Sequence, residues 1–269
     1  LEVSRNRFET GEFVEMDVEG YLRKSMLEAW IVCPKMYELL FIKKVPVKRT
    51  VALTVGALFH EYAKHFFDMI DYDKLLQYTD VSDPKLYDKV VEYFAETLPA
   101  HPLLRPLALN FIKFEAKQWV ELIKLYEDPL PYFVPVAREE HLISEELKLE
   151  GTIDRIDRLS TGNYIIIEYK TGHYWSVRDL RRELAFYVIL ASSTNRFDRP
   201  ITHIGCFNPR LNKWFAEPVH QKLLQATRRR ILQLRKANEL GIFERRPGRR
   251  CYFCLALEAC QKERGENNE

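Results

Sequence analysis

The chain has 269 residues, 46% of them apolar and 30% charged, with a formal charge of +2. This is ample for a sizeable core, in one elaborated domain or two small ones, and it excludes a disordered chain. No apolar run reaches the roughly 18 residues that a membrane span needs, and the acidic start GEFVEMDVEG lacks the hydrophobic block of a secretion signal. The expectation is a cytoplasmic globular protein without a membrane partner.

Positions 21 to 44 carry apolar residues at helical spacing, with Ser25 and Glu28 set for a capping box. Pro34, directly after Cys33, bends or restarts this helix. A second helix is predicted from about Val55 to Met69, with Gly56 and His60 one turn apart on one face. Residues 71–135, rich in Tyr and Phe and punctuated by Pro, predict a helical insertion with helices around Leu86–Leu98 and Leu107–Glu127.

From Arg138 the pattern turns to short β-branched runs, EEHLISEELKLEG, TIDRIDRL and YIIIEYK, with Thr161-Gly162-Asn163 as a turn. A helix from about Val177 to Ser192 follows, then the strands ITHIGCF and KWFAEPV, then a basic helix from His220 to Leu240 stopped by Gly241. This divides the chain into an N-terminal helical part (1–70), the insertion (71–135), an α/β core (136–240) and a cysteine segment (241–269), integrated as one domain.

Residues two apart in a strand share a side, so Glu168 and Lys170 project together while Tyr169 faces away. Asp154 on the neighbouring strand is placed across from Glu168, and two facing carboxylates bind a hard divalent cation. Such a cation polarises a phosphodiester and acidifies a water, and Lys170 steadies the charge that grows on phosphate. Asp157 alternates to the opposite face and reads as structural. Glu139 and Glu140, on the preceding strand, are candidates for supporting groups, and the sequence does not choose between them.

Four of the five cysteines are split between the ends: Cys33, then Cys251, Cys254 and Cys260 in a C-x2-C-x5-C spacing. In a reducing compartment clustered thiols are more often metal ligands than disulfides. Four thiolates suit a zinc ion or an iron-sulfur cluster, and their spacing does not separate the two. Cys206, mid-strand, reads as a buried apolar residue. Between 228 and 250 the residues Arg228, Arg229, Arg230, Arg235, Lys236, Arg245, Arg246, Arg249 and Arg250 face only Glu239 and Glu244. That excess suits a phosphate backbone, the alternative being a solvated helix face. Nearer the carboxylates, Arg178, Arg181 and Arg182 are candidate phosphate contacts, and Tyr169, Tyr174 and Trp175 candidate stacking surfaces for unpaired bases.

GTIDRID, IIIEYKTG and Glu183-Leu184-Ala185-Phe186-Tyr187 resemble the successive motifs of the RecB-like branch of the PD-(D/E)XK nucleases, and Gly56-Ala57-Leu58-Phe59-His60 resembles its upstream helix motif. Cys33 before Pro34 with the distant cysteine triplet resembles the iron-sulfur members, most of all the CRISPR-associated RecB-like exonucleases (the fourth Cas protein). The resemblance implies a restriction-endonuclease-like mixed sheet flanked by helices, with a helical insertion and a C-terminal iron-sulfur clasp. It implies His60, Asp154 and Glu168 as ligands for Mg or Mn, Lys170 as their catalytic partner, and Glu183 and Tyr187 as DNA contacts. It further implies a 4Fe-4S cluster rather than zinc on the four cysteines, trimming of single-stranded or frayed DNA ends, and CRISPR integrase proteins as partners. Two features depart from the family: Glu183 stands where it usually has Gln, and the insertion is longer than in compact CRISPR-associated members. The rival expectations are a non-catalytic DNA-end or scaffold protein and a duplex-specific endonuclease of DNA repair.

Overall fold

The computed structural model describes residues 20–47 and 51–265, so the acidic start lies outside the described residues. The chain divides into two compact units, 49–233 and a second formed by 1–48 with 234–269.

The 49–233 unit is built on a mixed sheet. Ala137–Ser144, Leu149–Arg158 and Tyr164–Tyr169 pair antiparallel in succession. Tyr164–Tyr169 then pairs parallel with Ile201–Asn208, which pairs antiparallel with Lys213–Pro218. A parallel pair needs a crossover, and the helix Val177–Ser192 supplies it. Ser176 starts that helix by accepting the Asp179 N–H on its hydroxyl at 3.3 Å. The helix packs against four of the strands, and eleven of its residues are buried.

All six residues of Tyr164–Tyr169 are buried, as expected of a central strand covered on both faces. Alternation sends Ile165, Ile167 and Tyr169 into one large core with Phe59, Phe66, Phe94, Phe111, Trp119 and Phe133. Each such ring, fully buried, contributes about 1.5–3 kcal/mol. The helices Leu86–Ala95 and Arg105–Leu125 coincide with those predicted in the 71–135 stretch. Arg105–Leu125 covers this face of the sheet: Phe114 stacks on Phe207 at 4.2 Å, and Asn110 Nδ2 donates to the Pro209 carbonyl.

In the second unit the helix Lys24–Val32 breaks at Cys33, which is extended (φ −162°, ψ 115°). Pro34 restarts it as Pro34–Tyr37, and a π turn continues over Glu38–Ile42. Pro lacks the N–H that an uninterrupted helix would use, and its fixed φ suits a first turn. The expected capping box does not form. Arg23 is the N-cap and has no side-chain cap bond, so Ser25 and Glu28 fall inside the helix. Leu39, Leu40 and Ala256 make a small core beside Met36, Cys254 and Cys260. The Glu263 carboxylate accepts from Lys35 and Lys43, both at 2.6 Å, and these pairs hold its pKa down at about 2. The helix Gln221–Leu240 ends at Gly241, whose φ of +66° is the left-handed cap expected of glycine. Among the described residues no helix is long and apolar enough to cross a membrane.

Candidate active site

The ladder between Leu149–Arg158 and Tyr164–Tyr169 runs as far as Arg155 opposite Ile167. Beyond it the Asp154 side chain takes over, its Oδ2 accepting the Tyr169 N–H at 2.7 Å. One carboxylate oxygen is thereby fixed by backbone, while Oδ1 lies 3.3 Å from His60 Nδ1. On the other side, pairing flanks Glu139 without including it, at Arg138 with Arg155 and Glu140 with Ile153. Glu139 adopts φ +46°, a left-handed conformation costing on the order of 1–2 kcal/mol for a residue with a Cβ. Its Oε1 sits 3.1 Å from His60 Nδ1.

His60 is delivered by the helix Val51–Phe66. A Cβ on Gly56, one turn earlier, would lie 3.0 Å from Thr171 Oγ1, so glycine permits the helix to approach the loop that follows Lys170. Burial opposes a charge on His60, but hydrogen bonds and attraction from Asp154, then Glu139, outweigh it and raise its pKa to about 10.

The ligand atoms of His60, Glu139 and Asp154 all lie within 4.8 Å of one another. One imidazole and two carboxylates so converged, each held from a different element, fit a hard divalent cation. Glu139 is the group that sequence reasoning left unplaced, because a left-handed kink in a strand has no residue-type signal at a glutamate. Glu140 instead pairs with Arg196.

Glu168, expected as the third ligand, is turned to Lys170, whose Nζ lies 2.8 Å from Glu168 Oε1 and 2.6 Å from Glu183 Oε2. The acidic departure at 183 therefore holds the lysine. Tyr187 is buried, and a Cβ on Gly151 would meet its ring at 3.0 Å. Burial first, then the charges of Glu168 and Asp154, push its phenol far above the normal range, so it sits as a neutral wall beside the carboxylates.

Behind the site lies a second buried set. Arg155 donates to Glu115 Oε1 at 2.5 Å, to Asp157 Oδ1 at 2.7 Å and to the Tyr169 hydroxyl at 3.3 Å. Two carboxylates share one guanidinium, and burial, opposed by Arg155, raises the pKa of Glu115 to about 7. Asp157, read as structural, is structural here. Tyr169 packs edge-on against Phe59 and Phe111, so it is a core residue and not the base-stacking surface expected of it. Tyr174 is exposed and bonds Asp179, and Trp175 packs against Phe215.

Of the three nearby arginines, Arg182 is 8% exposed and paired with Asp179, and Arg181 makes a double bond pair with Glu217. Arg178, with its side chain 82% exposed, is the one a phosphate reaches most easily. Farther along the chain, Arg228 and Arg229 are exposed and Arg230 is half-buried.

Within the second unit Cys33, Cys251, Cys254 and Cys260 line a single cavity of about 250 Å³. Burial, with repulsion from the other three cysteines, raises the Cys254 thiol above its usual value despite a bond from Ala256 N–H. Cys206 is fully buried, as expected.

No curated protein matches the chain. A solved structure of a candidate exonuclease from Eubacterium rectale aligns over 89% of this chain and 88% of its own, with a TM-score of 0.44 and 10% identity. The PD-(D/E)XK nuclease superfamily matches residues 24–261. That span takes in both the His60, Glu139 and Asp154 cluster and the Glu168–Lys170 pair, and the chain belongs to the PD-(D/E)XK nuclease superfamily.

Proposed function

We propose that this protein is a Mg- or Mn-dependent deoxyribonuclease that trims single-stranded or frayed DNA ends. The observation that carries this reading is the convergence of His60, Glu139 and Asp154 within 4.8 Å, next to a strand end that presents Glu168 and Lys170. When bound there, a divalent cation polarises the scissile phosphate and acidifies the attacking water. The chain does the rest. The Tyr169 N–H fixes the rotamer of Asp154, Glu139 and His60 complete the cradle, and the Glu168 and Glu183 carboxylates hold the Lys170 ammonium where negative charge grows on phosphate. Glu168 changes partner from Lys170 to the cation if both are to be served, a movement that one side-chain rotation covers.

The test uses end-labelled linear single strands, circular single strands and linear duplex, each with magnesium or manganese. We expect linear single strands to be shortened and circles spared, and Asp154→Ala to be inactive. Cleavage of circles makes the protein an endonuclease, and tight binding without cleavage makes it a scaffold.

For the four cysteines we infer a 4Fe-4S cluster, supported by their sharing one cavity and by the family resemblance. Visible absorption and iron, sulfide and zinc content of anaerobically purified protein test it. The same resemblance leads us to assign the setting to CRISPR spacer acquisition in the cytoplasm, with integrase proteins as partners. Co-purification with them tests that assignment against a role in general DNA repair.

A further inference from the structure

Tyr252 and Phe253 are 82% and 88% exposed, more than any other aromatic among the described residues. They are the two residues between Cys251 and Cys254, in the short 3-10 turn Arg249–Phe253. That turn is closed by Cys251 N–H to the Gly248 carbonyl at 2.9 Å and Cys254 N–H to the Cys251 carbonyl at 3.1 Å. Both flanking thiols point into the cysteine cavity, so the rings are held outward on a loop anchored at each side. With three residues per turn, neighbours diverge by about 120°. Two such rings meet two successive flat partners rather than one.

The surroundings are basic. Arg245, Arg246, Arg249, Tyr252 and Arg264 line an open groove of about 450 Å³. Arg245 lies 3.5 Å from Glu263, and Arg246 donates to the Ile31 carbonyl. Among the described residues neither Arg249 nor Arg250 has an ion pair or side-chain hydrogen bond, and both are exposed.

We propose that Tyr252 and Phe253 form a base-stacking platform for single-stranded DNA, with Arg249 and Arg250 taking the adjacent phosphates. The inference rests on the reading of the chain as a DNA nuclease and adds to it a second contact region, in the cysteine-bearing unit. Flat apolar rings alternating with unpaired guanidinium groups complement an unpaired strand, which offers base faces and phosphates together. Duplex DNA hides the faces. An anionic membrane is the lesser fit, since the apolar surface here is two rings and Leu255 rather than the face of an amphipathic helix.

The experiment measures binding of oligothymidylate in EDTA across a salt series. The proteins are wild type, Tyr252→Ala, Phe253→Ala, Phe253→Leu and the pair Arg249→Ala with Arg250→Ala, each checked for unchanged cluster metal. Losing a ring weakens binding about fivefold or more while leaving the salt slope unchanged, because no phosphate contact is lost. Losing the two arginines flattens the slope by about two. Tyr252→Phe, which keeps the ring, binds like wild type. An oligonucleotide carrying 2-aminopurine is quenched by wild type and less so by Phe253→Leu, a change too mild to unfold an exposed turn.

Wild-type affinity and quenching in the ring variants, alongside intact single-strand cleavage, overturn the platform and leave the nuclease reading standing. A wild-type protein that neither binds nor cuts DNA overturns both. If the ring variants instead lose flotation with anionic vesicles and keep DNA affinity, the surface belongs to a membrane and the proposal is wrong.

Discussion

The ammonium of Lys170 lies 2.6 Å from the carboxylate of Glu183, on the helix that crosses over the sheet, and 2.8 Å from that of Glu168, two residues before it on its own strand. A single flexible side chain is thus fixed at two points. Lys170→Ala should lower kcat far more than DNA affinity, because its charge acts on the transition state. Glu183→Ala should lower kcat by about tenfold through loss of positioning, and single-turnover kinetics separate this from binding. Glu183→Gln, which can still accept from Lys170, should recover most of the loss. Equal turnover in all three variants would show that the clamp has no part in the chemistry.

Asp154→Ala and Glu139→Ala should each weaken manganese binding, measured calorimetrically, by an order of magnitude or more, since each removes one of two converging carboxylates. Glu140→Ala, at the neighbouring position, should leave it unchanged because that side chain serves Arg196. The contrast between adjacent glutamates tests the kink directly. A metal affinity that follows Glu140 instead would put the site elsewhere.

The candidate site was only partly legible in the sequence. GTIDRID and IIIEYK marked Asp154, Glu168 and Lys170 because a buried apolar strand ending in alternating charges has few other uses. The helix Val177–Ser192 could be bounded from Ser176 and its periodicity. Glu139 could not be chosen over Glu140, since backbone geometry decides it and a glutamate gives no warning of positive φ. Tyr169 looked available for stacking because a strand's two faces are equivalent on paper. Which face is covered was settled by Phe59 and Phe111, far away in sequence.

Removal of Cys33 should release the bound metal of the second unit and lower its thermal stability, because that thiol lines one cavity with Cys251, Cys254 and Cys260. Cys206→Ala should leave metal content unaltered. Full metal content in Cys33→Ala, by elemental analysis, would separate Cys33 from the other three.

Glu115 gives a pH dependence with a definite sign. Its pKa in the fold is about 7, above the unfolded value, chiefly because it is buried and shares Arg155 with Asp157. The folded state therefore holds the proton more tightly. The stabilisation this provides is complete below about pH 4.5 and is lost as pH rises through about 7. Urea unfolding at pH 5 and pH 8 should show a smaller loss in Glu115→Gln than in wild type. Arg155→Met should destabilise by about 3–5 kcal/mol, the cost of leaving buried acids without their partner.

The kink at Glu139 also bears on when the protein can act. Its carboxylate reaches His60 only after Ala137–Ser144 has paired with Leu149–Arg158, and Asp154 is fixed only after the next strand supplies the Tyr169 N–H. A nascent or partly melted chain holds the same residues scattered over more than a hundred positions and has no cradle. Competence to cut thus arrives in the same cooperative step as the closed sheet, which spares nucleic acid from damage by misfolded copies and makes cation affinity a direct measure of how much of a preparation is correctly folded.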